Sequence, residues 1–275
     1  MKTNYHMHCN YCDGKDPSFL YIEEAVKKGF VAMGYSSHAP IPFKSDWTME
    51  KGREDEYIKE ISELKEKYKG IIQIYTGFEI DFFDGAENFF GKYKCDFEIG
   101  SVHFFGDMKN EKTYNVDGTK EEFDETLNTL FEGKIEAFVK AYYSQMERMV
   151  KEYQPDIIGH LDIIKKNNKN GTYFKEDSEF YREAVFKLLS VISKSKSIVE
   201  INTGGMLRGY TDDTYPSRWI IEEMKKLDIP VVLNSDAHTA AHIDGYFEKA
   251  ASILKSCGYL KQKVLLDGEW RFVEL

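Results

Sequence analysis

The stretch Tyr5-His6-Met7-His8 ends the first run of residues that is predicted to form a strand. In a strand, residues i and i+2 point to the same face, so the imidazoles of His6 and His8 are expected to lie side by side. Two neighbouring imidazole nitrogens suit a single transition-metal cation. The stretch therefore predicts one half of a metal site at the end of the first strand.

The same arrangement recurs along the chain, because most of the other histidines stand where a hydrophobic run meets a loop. The chain has seven histidines, and only His242 lies outside such a junction. The later junctions carry His38, His103, His160 and His238. Acidic residues lie in or beside the same junctions at Asp13, Glu79 and Asp236.

Apolar runs alternate with amphipathic, charge-rich segments, which is the β-α-β-α pattern of a mainly parallel sheet. The first predicted strand ends near residue 8. The next six predicted strands cover 30–36, 71–80, 97–102, 156–159, 198–201 and 230–233. The predicted helices cover roughly 18–28, 53–68, 85–92, 121–132, 134–153, 177–195, 216–227 and 245–257. The pattern predicts an α/β fold with about seven β-α units.

Two segments lack this pattern. Residues 104–120 are predicted to be an irregular polar loop, long enough to act as a lid, and residues 260–275 a short extended tail. The chain has 275 residues, which fits one α/β barrel, and no linker or repeat divides it. We expect a single domain over residues 1–275.

Composition excludes several classes of protein. The net charge of −10 argues against a protein that coats nucleic acid or an anionic membrane, since no basic block offsets it. No stretch reaches the ~18 apolar residues of a membrane span, and the first residues contain no apolar core of a signal peptide. Four scattered cysteines do not form a disulfide framework. A soluble cytoplasmic protein is expected.

In a barrel the loops that follow the strands gather on one face, and active sites are built there. The residues expected to converge on this rim are His6, His8, Asp13, His38, Glu79, His103, His160, Asp236 and His238. These donors exceed what one ion needs, so two or three divalent ions are implied. Imidazole mixed with carboxylate suits zinc, iron or manganese and does not choose among them.

Such a cluster favours hydrolysis of a phosphate ester. Neighbouring divalent ions lower the pKa of a shared water molecule and clamp the attacking and leaving oxygens of an in-line displacement. Glu79 is the natural bridge, because its two oxygens can face two ions, and Asp236 and His238 complete the predicted catalytic set. The leaving alkoxide also needs a proton. His238 or Asp13 could relay it, but metal ligation competes with that role, so no general acid is assigned.

The ordered motifs resemble those of the PHP superfamily (polymerase and histidinol phosphatase), and within it the stand-alone histidinol-phosphate phosphatases. The resemblance runs from about residue 4 to 250. It rests on H-x-H near the start, then S-H-A-P, T-G-F-E-I-D, S-V-H, G-H-L-D and N-T-G-G, and finally S-D-A-H. It implies a distorted (β/α)7 TIM-like barrel with a trinuclear metal site.

The resemblance also implies a distribution of ligands. It places His6, His8, Glu79 and Asp236 on the first ion and Asp13, His38 and His238 on the second. Glu79 would bridge to the third ion, which His103 and His160 complete. The sequence departs from the family at Asp13, where relatives often have histidine.

Arg208 is the candidate for substrate binding. It lies in a glycine-flanked loop where relatives commonly carry arginine, and a guanidinium can hold a phosphate bidentately. The other interpretation is a solvated loop residue. Asp81 and Asp162, beside motif residues, are expected either to orient histidines or to be plain loop acids.

The resemblance implies a metal-dependent phosphomonoesterase that hydrolyses L-histidinol phosphate to L-histidinol and phosphate in histidine biosynthesis. One alternative keeps the site and acts on another phosphomonoester or on nucleotides. A second is an amidohydrolase-like enzyme that cleaves carbon–nitrogen bonds, for which a carboxylated lysine would be expected. A third is a metal-storing or regulatory protein without turnover. The bridging Glu79 and the extra ligands Asp13 and His38 favour the phosphatase.

Overall fold

Seven parallel strands wind around a common core. The structure, a computed structural model, describes residues 1–84 and 89–275. The strands in chain order are β1 (Lys2–Asn4), β2 (Phe30–Tyr35), β3 (Gln73–Asp81), β4 (Phe97–Ser101), β5 (Phe104–Asp107), β6 (Lys112–Asn115), β7 (Ile157–Ile158), β8 (Ile198–Asn202), β9 (Val231–Asn234), β10 (Lys261–Leu266) and β11 (Glu269–Glu274). The seven-stranded sheet has the order β1-β2-β3-β4-β7-β8-β9, and its paired neighbours are parallel.

Backbone contacts bring the two edges of this sheet together just beyond β1 and β9. The amide of His8 donates to the carbonyl of Ala237 at 2.9 Å, and Met7 forms a parallel bridge with Ala237. The amide of Tyr5 donates to the side chain of Asn234 at 2.8 Å. The fold is therefore a nearly closed seven-stranded barrel, which confirms the predicted TIM-like α/β fold.

Helices cover the outside of the barrel. They are α1 (Ser18–Lys27), α2 (Glu54–Lys67), α3 (Lys120–Phe131), α4 (Ile135–Glu152), α5 (Glu179–Ile192), α6 (Gly204–Leu207), α7 (Arg218–Lys226) and α8 (Phe247–Ser256). Apart from α6, these agree with the predicted helices to within one turn. Of the helix predicted near 85–92, residues 85–88 lie outside the described residues, and 89–92 are not helical.

The spacing of apolar residues explains how the helices dock. In α4, Phe138, Tyr142, Met146 and Met149 follow one another at three or four residues and are fully buried. This is the periodicity of one helix face, and that face packs on the barrel. Within the described part of the chain, no helix is long and apolar enough to cross a membrane.

The segment predicted to be an irregular loop, 104–120, instead begins with an antiparallel hairpin of β5 and β6. Phe104 is buried, and the centre of its ring lies 5.3 Å from that of Phe83. This contact packs β5 against the buried aromatic residues. The turn closes because the carboxylate of Asp107 accepts hydrogen bonds from the amides of Lys109 and Asn110 at 3.1 Å. The prediction of an irregular loop rested on polar composition. It was wrong for the start of the segment, because these local side-chain contacts stabilise a tight turn.

The predicted tail, 260–275, is also a hairpin, formed by β10 and β11. It covers the end of the barrel where β4 and β8 begin, packing on Phe97 and Ile198. The hydroxyl of Tyr5 donates to the carbonyl of Leu265 at 2.8 Å and accepts from its amide at 3.0 Å. The ring of Trp270 lies 5.5 Å from that of Tyr5. The hairpin thus closes the end of the barrel opposite the rim.

Tyr5→Phe should lower the free energy of unfolding by about 1–3 kcal/mol, because it leaves the buried amide and carbonyl of Leu265 without their hydroxyl partner. Urea unfolding followed by circular dichroism in the presence of a chelator measures this without a contribution from metal ions. Tyr246→Phe, at a tyrosine that is 49% exposed, is the matched control and should change stability little. Equal effects of the two variants would contradict the role given to Tyr5.

Candidate metal centre

All nine residues predicted to converge do lie together, on the rim formed where the barrel strands end. Their nitrogen and oxygen atoms form overlapping groups in which candidate ligand atoms lie within 4.8 Å of one another. The groups are His8-Asp13-His38-His238, His6-His8-Asp236, His6-Glu79-His160 and His38-Asp81-His103. The overlap means that several ions can share ligands in one polynuclear centre.

The local backbone aims the first histidines at this centre. β1 ends at Asn4, earlier than predicted, but the bridge between Met7 and Ala237 keeps the next residues extended. Met7 points into the core, so His6 and His8 point to the other face, with ring centroids 5.1 Å apart. Alternation within the extended segment therefore produces the predicted pair.

Glu79 lies at the middle of the cluster and its two oxygens face different histidines. Oε2 lies 3.1 Å from Nε2 of His6 and 3.1 Å from Nδ1 of His38. Oε1 lies 2.9 Å from Nε2 of His160 and accepts a hydrogen bond from the hydroxyl of Ser101 at 2.6 Å. This is the geometry of a carboxylate that can bridge two ions.

The C-terminal motif supplies the opposite side of the cluster. Asp236 has a left-handed backbone, with φ of 51°, which non-glycine residues adopt rarely. Its Oδ1 lies 3.3 Å from Nε2 of His8, while Oδ2 accepts from the guanidinium of Arg208 at 2.7 Å. Nε2 of His238 lies 3.1 Å from Oδ2 of Asp13. Asp13 therefore lies within the same cluster of candidate ligands.

Unpaired buried atoms test whether this cluster fits metal ions. Nε2 of His8, Nδ1 of His38 and Oδ1 of Asp13 are buried and make no hydrogen bond with any of the described residues. A buried polar atom without a partner costs about 1–3 kcal/mol. A divalent cation in contact with these atoms would satisfy them, so the residues fit the ions that the donor set implies.

The ionisation states of two carboxylates and two imidazoles of the cluster agree with this fit, whereas neighbouring carboxylates raise the pKa of His6, His103 and His238. Burial alone would raise the pKa of Glu79, but the surrounding histidines, His6 first among them, hold that pKa well below its usual value. Burial would also raise the pKa of Asp236, but Arg208 and the neighbouring histidines together hold that pKa well below its usual value. Burial lowers the pKa of both His8 and His38. Ionised carboxylates and neutral imidazoles are the forms that bind metal.

Carboxylates behind the cluster orient two of its histidines. Nδ1 of His6 lies 2.6 Å from Oε1 of Glu200, and Nδ1 of His103 lies 2.7 Å from Oδ1 of Asp81. Glu200 and Glu79 raise the pKa of His6 against the effect of burial. Each carboxylate fixes the tautomer in which Nδ1 carries the proton and Nε2 faces the centre. Asp81 thus matches one of its two expected roles.

Sequence reasoning missed Glu200 and left two roles open for Asp162. Glu200 is fully buried within β8, and its only signal was an acidic residue inside the otherwise apolar run I-V-E-I. Its Oε2 also accepts from the amide of His160 at 2.9 Å. Within the described residues, the partners of Asp162 are Lys165 at 2.9 Å and Ser217.

A cavity of about 480 Å³ opens over the cluster. Arg208 lines it and is held in place by two acceptors, the side chain of Asp236 and its carbonyl at 3.0 Å. Lys166, which sequence reasoning did not single out, lines the same cavity. Two cationic side chains therefore face the space above the candidate ligands.

Comparison with known proteins identifies the family to which this chain belongs. The family model described as PHP domain matches residues 4–204. The chain belongs to the PHP-domain family. It is 30% identical to a histidinol-phosphatase of Bacillus subtilis over 264 residues, which cover 90% of this chain and 97% of the relative. It is 25% identical to a histidinol-phosphatase of Lactococcus lactis over 264 residues, 94% of this chain and 92% of that protein.

Solved structures agree with the PHP fold. A Listeria monocytogenes structure superposes with a TM-score of 0.79 and 23% identity, covering 90% of this chain and 99% of that one. The Lactococcus lactis histidinol phosphate phosphatase, solved with zinc, L-histidinol and phosphate, superposes with a TM-score of 0.75 and 23% identity, covering 98% of both chains. The resemblance inferred from the motifs is therefore confirmed at the level of family and fold.

Glu200→Gln should weaken metal binding by about 10- to 100-fold, because the amide no longer stabilises the Nδ1 proton of His6 and the basicity of Nε2 falls. Competition with a fluorescent zinc chelator measures the affinity directly, independently of turnover. Glu248→Gln, at an exposed glutamate of α8, is the control. Unaltered affinity in the Glu200 variant would refute the orienting role.

Proposed function

We propose that this protein is a metal-dependent phosphomonoesterase that hydrolyses L-histidinol phosphate to L-histidinol and phosphate in histidine biosynthesis. The observation that carries the proposal is the position of Glu79, whose oxygens face separate groups of histidines beneath a cavity lined by Arg208 and Lys166. The likeness to curated histidinol-phosphatases along nearly the whole chain supports the choice of substrate.

The proposed ligand sets are those that the family resemblance implies, and each draws on side chains that lie close together on the rim. His6, His8, Glu79 and Asp236 would hold one ion, and Asp13, His38 and His238 a second. Glu79, His103 and His160 would hold a third. When bound, such ions supply Lewis acidity and a nucleophile at neutral pH. Zinc, iron and manganese all suit this mixture of imidazole and carboxylate.

Arg208 would bind the phosphate. Its contacts with Asp236 use one N–H of each terminal nitrogen, and Nη1 also lies 3.3 Å from Nδ1 of His238, so the second N–H of Nη2 is the donor proposed for an anion. The side chain remains 31% exposed toward the cavity. Because Asp236 holds the guanidinium in place, little side-chain freedom is lost when the phosphate binds.

His238 would act on the proton of the leaving group only through Nε2. Its Nδ1 lies 3.0 Å from the carbonyl of Asp236, to which it donates in the tautomer with the proton on Nδ1. Nε2 then faces Asp13 at 3.1 Å and is available either to a metal ion or to a proton. The two roles exclude each other at any instant, so the proposal assigns no general acid.

The alternatives receive less support. An amidohydrolase with a carboxylated lysine needs a lysine among the ligands, and the buried Lys165 instead pairs with Asp162 and Ser217. The net charge of −10 counts against a nucleic-acid substrate or an anionic membrane surface. We propose that residues 1–275 work as one cytoplasmic metallophosphoesterase domain.

The protein reconstituted with Mn²⁺, Zn²⁺ or Fe²⁺ should release phosphate from L-histidinol phosphate in preference to an aryl phosphate or a dinucleotide. Phosphate release measured by a coupled colorimetric assay tests this, and chelation should remove the activity until metal is restored. Activity confined to the aryl ester or the dinucleotide would retain the phosphoesterase site and reject the biosynthetic role.

Glu79→Ala and His103→Ala should each abolish turnover while leaving the fold largely intact, because both residues are proposed ligands and neither belongs to the apolar core. Turnover, metal content by mass spectrometry and circular dichroism are measured together. Glu63→Ala, at an exposed position of α2, controls for loss of an acidic side chain. Near-normal activity in either site variant would contradict the assignment.

A further inference from the structure

The wall of the cavity formed by the segment between β6 and α3 is fixed directly to the metal centre. The amide of Val116 donates to the carbonyl of His103 at 2.7 Å. The next residue, Asp117, lines the cavity, and Gly118 accepts a hydrogen bond from the side chain of Asn167 at 3.1 Å. Asp117 is thereby held beside the corner of the site that contains His103.

Asp117 differs from the other acidic residues that line this cavity. Asp13, Glu79 and Asp236 belong to the proposed metal centre. Glu122 is engaged within its own helix terminus, where it accepts from the side chain of Asn115 at 2.8 Å and the amide of Thr119 at 2.6 Å. The remaining acids of the wall are Asp46, which is exposed, and Asp117, whose side chain is only 22% exposed.

Lys166 forms an ion pair with the carboxylate of Asp117 but makes no hydrogen bond to it. The ammonium of Lys166 donates to the backbone carbonyl of Asp117 and lies 4.7 Å from the centre of the ring of Tyr210. It stays 3.7 Å from Oδ2 of Asp117, which is too long for a hydrogen bond. Within residues 1–84 and 89–275 no hydrogen bond is made to the Asp117 carboxylate. The cavity thus presents a cation and an anion side by side.

This pair matches the charges of the proposed substrate. L-Histidinol phosphate carries an ammonium on the carbon next to the phosphate-bearing carbon, so its opposite charges are also neighbours. This inference rests on the proposed function. We propose that Asp117 binds the ammonium group of the substrate while the phosphate lies toward Lys166, Arg208 and the metal centre. The cavity then selects amino-substituted phosphate esters over plain alkyl phosphates.

The test compares L-histidinol phosphate with its deamino analogue, an imidazolylpropyl phosphate of the same length. In the wild-type holoenzyme kcat/KM should favour the amino ester by at least about tenfold, the factor that corresponds to about 1.4 kcal/mol. In Asp117→Asn the ratio of the two kcat/KM values should fall toward one. Asp46→Asn, at the exposed acid of the same cavity, should keep the wild-type ratio.

A binding measurement separates this inference from the proposed function. Calorimetry of L-histidinol and of the deamino alcohol with the holoenzyme requires no turnover, and Asp117→Asn should lose the preference for the amine. Asp117→Glu, which keeps the charge, should retain part of it, so a general loss of structure is distinguished from a loss of charge. Metal content and circular dichroism confirm that each variant is loaded and folded.

The possible results are distinct. A wild-type enzyme that hydrolyses both esters equally well, or an Asp117→Asn variant that keeps the wild-type ratio, overturns the inference and leaves the phosphatase function intact. A wild-type enzyme that hydrolyses neither ester overturns the proposed function. In that case the calorimetric preference for L-histidinol, and its loss in Asp117→Asn, still decides whether Asp117 recognises the amine.

Discussion

The burial of the Glu79 carboxylate is the constraint on which the rest of the structure depends. Glu79 is 1% exposed, and a lone ionised carboxylate at such a depth would be strongly destabilising. The imidazoles that surround it, together with the ions that those imidazoles can hold, supply the positive charge that it needs. Asp81 and Glu200, buried behind the histidines, extend the same alternation of charge outward. Removing one layer would leave the next one uncompensated within the candidate centre, while the apolar core that holds the fold stays in place.

The barrel makes this arrangement possible because the residues that stabilise the fold and the residues of the candidate site lie at opposite ends of it. At one end, the hairpin of β10 and β11 and the aromatic side chain of Tyr5 close the core with apolar contacts and hydrogen bonds. At the other end, the last residues of the strands and the loops that follow them carry the candidate ligands. Potential ligands as far apart in sequence as His6 and His238 therefore meet without a polar group crossing the core.

The candidate ligands could be predicted from the sequence because their positions follow from topology. A histidine or carboxylate at the end of a parallel strand can only lie on the rim, whatever the details of packing. Glu200 could not be found in this way, since a residue inside a strand gives no sign of which face it occupies or which histidine it meets. The two hairpins were missed because their docking depends on contacts between residues far apart in sequence. Phe104 packs on Phe83, and Tyr5 is hydrogen-bonded to Leu265.

Lys166 and Asp117 were missed for a related reason, because their neighbourhood is created by the packing of two loops. The backbone of Val116 is hydrogen-bonded to that of His103, so the wall that carries Asp117 has a fixed position relative to a proposed metal ligand. Such an arrangement is modular. Substitutions in the segment between β6 and α3 can redirect the choice of substrate during evolution while the strand ends retain one reaction.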